Sequence, residues 1–359
     1  MARQTRSQRH FRLAGPAIAF VVGALVLGTA ALARAEPAFT DPWPRVTDAD
    51  GRIVSIPSRS PFAPADIGPD APATAARITY YPPIGADAAH KAPAVVLLHG
   101  SGGIDENREP TYARELAAMG IGAVVVDVFG ARRDIATSFV DRVIEITETM
   151  ALADAYATLA WLKARPEIDG SRVAVWGFSY GAMASVIAAN AGIADRLAAL
   201  YGLGDTRFAA HVAFYGPCIT SFEDPRTTGA PVLMAWGGRD ALIDATRCEA
   251  TAAAMRQGGS RVQTVSYPTG VHQWDGSRPG PRPIGRLLND CDFRVEPDLT
   301  VRDGNLGIAM TGPLTRKIIL AYCVGSEGYL IGRDDAVRAK SDRDVAAFLS
   351  AAFGLASRS

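Results

Sequence analysis

The chain is poor in the residues that build metal and redox centres. Four cysteines and five histidines occur in 359 residues. No two cysteines stand in C-x-x-C spacing, which argues against a zinc cluster. Neither charge sign is in excess, with 37 Lys+Arg against 37 Asp+Glu. Acidic residues are missing altogether before Glu36, whereas Arg3, Arg6, Arg9, Arg12 and Arg34 lie there. Setting those five arginines aside leaves 32 basic against 37 acidic side chains, a net charge of −5. A mildly acidic body has no basic footprint for nucleic acid. Past the N-terminus no apolar run is long enough to span a bilayer. No internal repeat and no low-complexity block is present, which excludes repeat architectures.

The N-terminus has the form of an export signal. Four of its arginines precede an uncharged run over 13–33, and Ala33-Arg34-Ala35 offers a small-x-small cleavage pattern ahead of Glu36. An uncleaved anchor is the competing reading, since the run is about long enough to span. Gly15, Pro16, Gly23 and the Ala-rich end favour cleavage, and with it an exported protein that has no membrane partner afterwards. An even number of cysteines in an exported chain predicts two disulfides. Of three possible connectivities, Cys218–Cys248 and Cys291–Cys323 are preferred. The first joins the end of one core strand to the helix after the next, and the second lies within the C-terminal region. Four buried thiols are the alternative.

Residues 36–75 are rich in Pro, Asp and Ala and read as an N-terminal extension with one short strand near Ile53–Ile56 positions, 53–56. From 76 to 359 strands and helices alternate. Strands are expected at 77–81, 94–98, 123–127, 172–176, 211–214, 232–236 and 262–267. Several are unbroken apolar runs, as in strands covered on both faces of a parallel sheet. Helices are expected at 112–119, 141–163, 180–191, 245–257 and 344–353. This alternation predicts an α/β fold with a mostly parallel, doubly wound sheet flanked by helices. Residues 276–343, broken by Pro279, Pro281 and Pro283, read as an irregular insertion tied down by the second disulfide.

Chemistry centres on Ser179. The run Val173-Ala174-Val175-Trp176 leads into Gly177-Phe178-Ser179-Tyr180-Gly181 and then into a helix-forming stretch, the local pattern of a nucleophile elbow. Such a turn strains the serine backbone and needs small residues two before and two after it, as Gly177 and Gly181 are. The following helix favours negative charge at its N-terminus. A serine nucleophile needs a base, and the base an orienting acid. Beyond the signal only His90, His99, His211 and His272 remain. His90 lies in a polar loop, His99 closes a strand where it shapes a turn, and His211 opens a strand. His272 follows the last core strand at the carboxyl edge of the sheet, where α/β folds place working residues, and is the candidate base. The acid is expected between Ser179 and His272 in chain order. Asp240, at the end of Gly237-Gly238-Arg239-Asp240, is preferred over Asp244, which suits a helix N-cap. Two N–H donors should form an oxyanion hole: Tyr180, and either Ser101 or Gly102 in the loop His99-Gly100-Ser101-Gly102-Gly103. That loop lacks the Lys and Ser/Thr of a phosphate-binding P-loop.

Together HGSGG at 99–103, DVFGARR at 127–133, WGFSYGA at 176–182, GGRD at 237–240 and YPTGVHQWD at 267–275 make the chain resemble the dienelactone hydrolase family of α/β hydrolases, in an exported branch. The resemblance is good over about 78–267, continues through His272 and is loose elsewhere. It implies hydrolysis of a small-molecule ester or lactone by Ser179, Asp240 and His272, without cofactor or metal. The name-giving members carry Cys where this chain has Ser179, so a general carboxylesterase is the safer expectation than a dienelactone hydrolase. Arg132 and Arg133 are positioned either to meet an anionic substrate or to pair with nearby carboxylates. Two other functions compete: a peptidase on the same fold, for which no extra domain is evident before Arg77, and a non-catalytic binding protein on a hydrolase scaffold.

Overall fold

Eight strands form one central sheet in the computed structural model, which describes Met1, residues 36–46 and residues 50–355. The expected export signal lies outside the described residues. The strands of the sheet are β1 (Arg52–Arg59), β2 (Ala73–Tyr81), β3 (Ala92–Leu98), β4 (Gly122–Asp127), β5 (Ile168–Phe178), β6 (Ala210–Phe214), β8 (Val232–Gly237) and β9 (Val262–Tyr267). The short β7 (Thr220–Phe222) lies outside it. Strand order is β1-β2-β4-β3-β5-β6-β8-β9. The first two strands are antiparallel to their neighbours and the others pair in parallel. The segment read as an extension thus supplies β1, which pairs with β2 over its whole length from Arg52↔Tyr80 to Arg59↔Ala73.

Both faces of the sheet are covered, and β3 shows how. All seven of its residues are buried. Ala94, Val96 and Leu98 join one core, and Val95 and Leu97 join the other. Alternate side chains of a strand point to opposite faces, so a continuous apolar run fits a strand between two helical layers. The first core includes α3 (Glu148–Lys163) and α5 (Ala191–Leu200). The second includes α1 (Glu109–Ala118) and α8 (Asp335–Phe353). The remaining helices are α2 (Phe139–Glu145), α4 (Tyr180–Ile187), α6 (Ala245–Gln257) and α7 (Pro313–Cys323).

Several expected boundaries move, some for a clear local reason. The helix expected over 180–191 ends at Ile187, and a separate helix, α5, starts at Ala191, where the Asn190 side chain accepts from the Ile193 N–H. The single helix expected over 141–163 is two, because two N-caps follow one another: Ser138 accepts from the Asp141 N–H, and Thr147 from the Met150 N–H. Helix α8 begins nine residues before the expected 344, where Asp334 accepts from the N–H groups of Ala336 and Val337, and it ends at left-handed Gly354. The region 276–343 is more ordered than its prolines predict. It holds β10 (Arg282–Ile284), paired with β13 (Tyr329–Ile331), and β11 (Phe293–Val295), paired with β12 (Val301–Asp303) and with β7. Disulfides join Cys218 to Cys248 and Cys291 to Cys323, the preferred pairing.

Helix α8 docks on α1 through one guanidinium. Arg338 Nη2 donates to Glu115 (2.6 Å) and Nε to Asp342 (2.8 Å), while the guanidinium lies 3.7 Å from the centre of the Tyr112 ring. Burial pushes Glu115 up to about 7 and Asp342 up to about 6, because desolvation of each carboxylate outweighs the opposing pull of Arg338.

Two predictions follow from these ties. The disulfides close chain separations of 30 and 32 residues, so loss of either pair, for example in Cys291→Ser/Cys323→Ser, is expected to lower the unfolding free energy by about 2–4 kcal/mol in urea titrations. The raised Glu115 pKa means that its contribution to stability is full below the ordinary value of 4.5 and is lost as pH rises through about 7. Replacing Glu115 by Gln should therefore remove roughly 1–3 kcal/mol of the stability loss between pH 5 and pH 8. An unchanged pH slope in the variant would show that Glu115 ionises normally.

Candidate active site

Ser179 sits between β5 and α4 with φ 53°, a left-handed conformation unusual for a serine. The turn is held from three sides. Its N–H donates to the Phe214 carbonyl of β6 (2.9 Å), and its carbonyl accepts from Ala182 (2.9 Å) and Met183 (3.1 Å). A Cβ on Gly177 would overlap the Gly181 carbonyl, and one on Gly181 would overlap the Leu98 carbonyl of β3. Only glycine permits chain segments to approach this closely.

His272 and Asp240 come from the loops after β9 and β8. The Ser179 Oγ lies 2.9 Å from His272 Nε2, and His272 Nδ1 lies 2.6 Å from Asp240 Oδ2. The other Asp240 oxygen accepts from the Leu242 N–H (3.1 Å). All three side chains are buried. Asp244, the competing acid, caps α6 by accepting from Thr246 and Arg247. The neighbouring loops are pinned together, since the Arg239 N–H donates to the Gly270 carbonyl (2.9 Å). The backbone of His272 is also clamped by β13: its N–H donates to Leu330 (2.9 Å) and its carbonyl accepts from Gly332 (3.1 Å).

The glycine-rich loop after β3 turns tightly, with Gly103 N–H donating to Gly100 O (3.0 Å) and Gly103 at φ +89°. His99 anchors it. Its Nδ1 donates to Gly100 O (2.8 Å), and its Nε2 accepts from the Val128 N–H (3.2 Å). Burial lowers the His99 pKa, which favours this neutral tautomer. Ser101, Ser179 and Tyr180 line the same cavity; Gly102 is not among its lining residues. The other histidines lie elsewhere. His211 bonds the Ser185 carbonyl (3.0 Å), with its pKa driven down to about 4 by burial, and exposed His90 meets Asp87.

Two groups absent from the sequence reading support the histidine. Tyr215, with φ 44°, packs its ring 4.7 Å from that of His272 and donates its hydroxyl to Asp275 (2.6 Å). Tyr112 donates to the other Asp275 oxygen (3.2 Å). Burial, and then Asp275, raise the Tyr215 pKa well above its ordinary value, so it remains a donor. A signal was present: Tyr215 directly follows an apolar strand, and Asp275 closes the quoted His-containing motif. Tyr329 of β13 closes the opposite side, with ring centres 5.0 Å apart.

The cavity at Ser179 has a volume of about 650 Å³, and its walls come from α2, α7 and the segment 285–293. A larger cleft of about 990 Å³ lies beside the Cys218–Cys248 bridge, but Ser179 does not line it. Arg132 is buried against Asp154 (2.6 Å), and Arg133 is exposed 3.9 Å from Asp127; neither lines the cavity. Their arrangement is the structural one of the two expected. Among the described residues no group of three His, Cys, Asp or Glu side chains is placed to hold a metal.

A mostly parallel sheet with a Ser, Asp, His set at its carboxyl edge defines an α/β-hydrolase fold. Residues 83–280 match the dienelactone hydrolase family, and the chain belongs to that family. A protein of Methylorubrum extorquens, named as a candidate carboxymethylenebutenolidase, is 24% identical over 195 residues, 50% of this chain. The match spans 62% of that relative's length. Among solved structures, the chain is similar to a dienelactone hydrolase-like promiscuous phosphotriesterase from metagenomic libraries: 18% identity, TM-score 0.47, covering 84% of this chain and 98% of that one. It is also similar to a protein of Klebsiella pneumoniae named as a candidate dienelactone hydrolase: 21% identity, TM-score 0.43, covering 62% of this chain and 88% of that one.

The elbow's steric demand is testable apart from any activity. Gly177→Ala is expected to destabilise the fold by more than about 3 kcal/mol or to prevent its accumulation, because backbone rather than a movable side chain occupies the Cβ position. A urea midpoint equal to that of the wild type would contradict the packing described.

Proposed function

We propose that the protein is a serine hydrolase that cleaves carboxylic esters or lactones through an acyl-enzyme on Ser179. The observation that carries this reading is the unbroken chain of short contacts from Ser179 Oγ through His272 to Asp240. In the proposed reaction His272 Nε2 takes the serine proton as Oγ attacks the carbonyl carbon. Asp240 holds the proton on Nδ1, which leaves Nε2 free to accept, and it stabilises the imidazolium that forms. The N–H groups of Tyr180 and Ser101 receive the oxyanion at the start of α4, where the helix end favours negative charge. Collapse of the intermediate expels the alcohol, which takes the proton from His272. Water then attacks the acyl-enzyme as His272 takes its proton; the acyl–Oγ bond breaks, Oγ regains the proton from His272, and the carboxylic acid product leaves.

Family membership supports hydrolysis of this kind. The two disulfides support an exported location, since such bonds persist in oxidising compartments. No helix among the described residues is long and apolar enough to cross a membrane.

The purified protein is expected to hydrolyse p-nitrophenyl acetate and to be labelled at Ser179 by a fluorophosphonate, with the site identified by peptide mass mapping. Ser179→Ala should abolish labelling and lower kcat by about a thousand-fold or more, and Asp240→Asn should lower kcat by roughly 10³–10⁴-fold. Labelling at another serine, or equal turnover by wild type and Ser179→Ala, would overturn the assignment.

A further inference from the structure

The cavity beside Ser179 is much larger than the reacting atoms need, and its chemistry is uneven. Its volume of about 650 Å³ lies in the range that holds a drug-sized ligand. The inner wall is apolar: Met183 and Ile219 on the core side, Leu288 and Phe293 from the C-terminal region, Leu320 of α7 and Val324 just after it. The mouth is apolar as well, for Phe139 and Val140 of α2 line it while remaining 52% and 59% exposed. Large apolar side chains left in water at the entrance of a cavity mark a surface suited to an apolar ligand.

Charge in the cavity has one sign. Its only carboxylate among the lining residues, Glu148, is neutralised by a two-point contact with buried Arg316 (3.0 and 3.1 Å). Arg286 and Lys317 also line the cavity, and both are exposed, which puts them at its mouth. Neither has a carboxylate within ion-pair distance among the described residues, although Lys317 is near enough to Asp141 to help lower its pKa. An apolar chamber with two cations at its opening complements a molecule with an apolar arm and a negative end.

We infer that the site takes amphipathic anionic esters, with an extended apolar arm in the chamber walled by α2 and α7 and an anionic group at Arg286 and Lys317. This deepens the proposed hydrolase function and rests on it for the ester bond. The Cys291–Cys323 bridge ties α7 to the segment 285–293, joining two of the walls that would hold the apolar arm. Arg286 and Lys317 are specificity-determining residues here, distant in role from the proton transfers at Ser179.

Binding can be measured without catalysis. The full-length Ser179→Ala protein is titrated by calorimetry with butyrate, octanoate and dodecanoate, below micelle-forming concentrations, and with the corresponding uncharged primary amides. Affinity is expected to rise with chain length, by up to about fifteen-fold for each two carbons that leave water. Carboxylates should bind several-fold more tightly than the amides, and Arg286→Ala/Lys317→Ala should erase that preference while leaving the chain-length trend. Affinity independent of chain length, or amides bound as tightly as carboxylates by the protein with both cations, overturns the proposal. Wild-type turnover is assayed separately with p-nitrophenyl acetate. If turnover and fluorophosphonate labelling of Ser179 are both absent while binding follows chain length and charge, the hydrolase reading falls and the ligand class stands.

Discussion

The left-handed turn at Ser179 is the constraint around which the rest of the site is built. A serine at φ 53° is tolerated because the surrounding structure leaves the backbone nowhere else to go. β6 takes its N–H, α4 takes its carbonyl, and β3 passes so close to Gly181 that no side chain fits between them. One crossing therefore does several jobs. It sets Ser179 at the sheet edge, starts α4 beside the cavity, and brings the loop after β3 alongside.

The opposite half of the site depends on long-range pairing. His272 belongs to a loop that could take many conformations in isolation, yet its backbone is paired on both sides of the residue to β13, some sixty positions later in the chain. Tyr215 and Asp275 fill the space behind it with a buried hydrogen bond. Two further strained residues, Tyr215 and Gln273, flank this contact at positive φ. Strain gathered at one place and compensated by surrounding bonds is expected where geometry matters for chemistry. The C-terminal region thus has a double role: β13 holds the histidine, and α7 walls the cavity.

Much of this organisation is written locally. The strand at 94–98 is apolar without interruption and 123–126 likewise up to Asp127, and both runs are buried in the sheet. Ser179, His272 and Asp240 stand out because strand, turn and glycine patterns precede each of them. Boundaries were less legible. Thr147 splits a helix that periodicity alone runs together, and Asp334 starts α8 well before its apolar pattern becomes regular. Caps act through one side-chain bond, which leaves little trace in hydrophobic spacing. Tyr215 and Asp275 are not legible in the sequence for a different reason. A tyrosine after a strand and an aspartate in a loop are each ordinary, and only their meeting 60 positions apart gives them a role.

By itself the sequence determined the alternation of strands and helices, the elbow at Ser179 and the preferred disulfide pairs, since these follow from the period of apolar residues, from glycine at sterically crowded positions and from the placement of few cysteines. Only the tertiary structure decided that β1 joins the sheet, that β13 clamps His272, that Ser101 rather than Gly102 faces the cavity, and that α2 and α7 enclose an apolar chamber with two cations at its mouth. Those features are contacts between segments remote along the chain. Their energy depends on where the whole backbone has already been placed, and no local pattern records it.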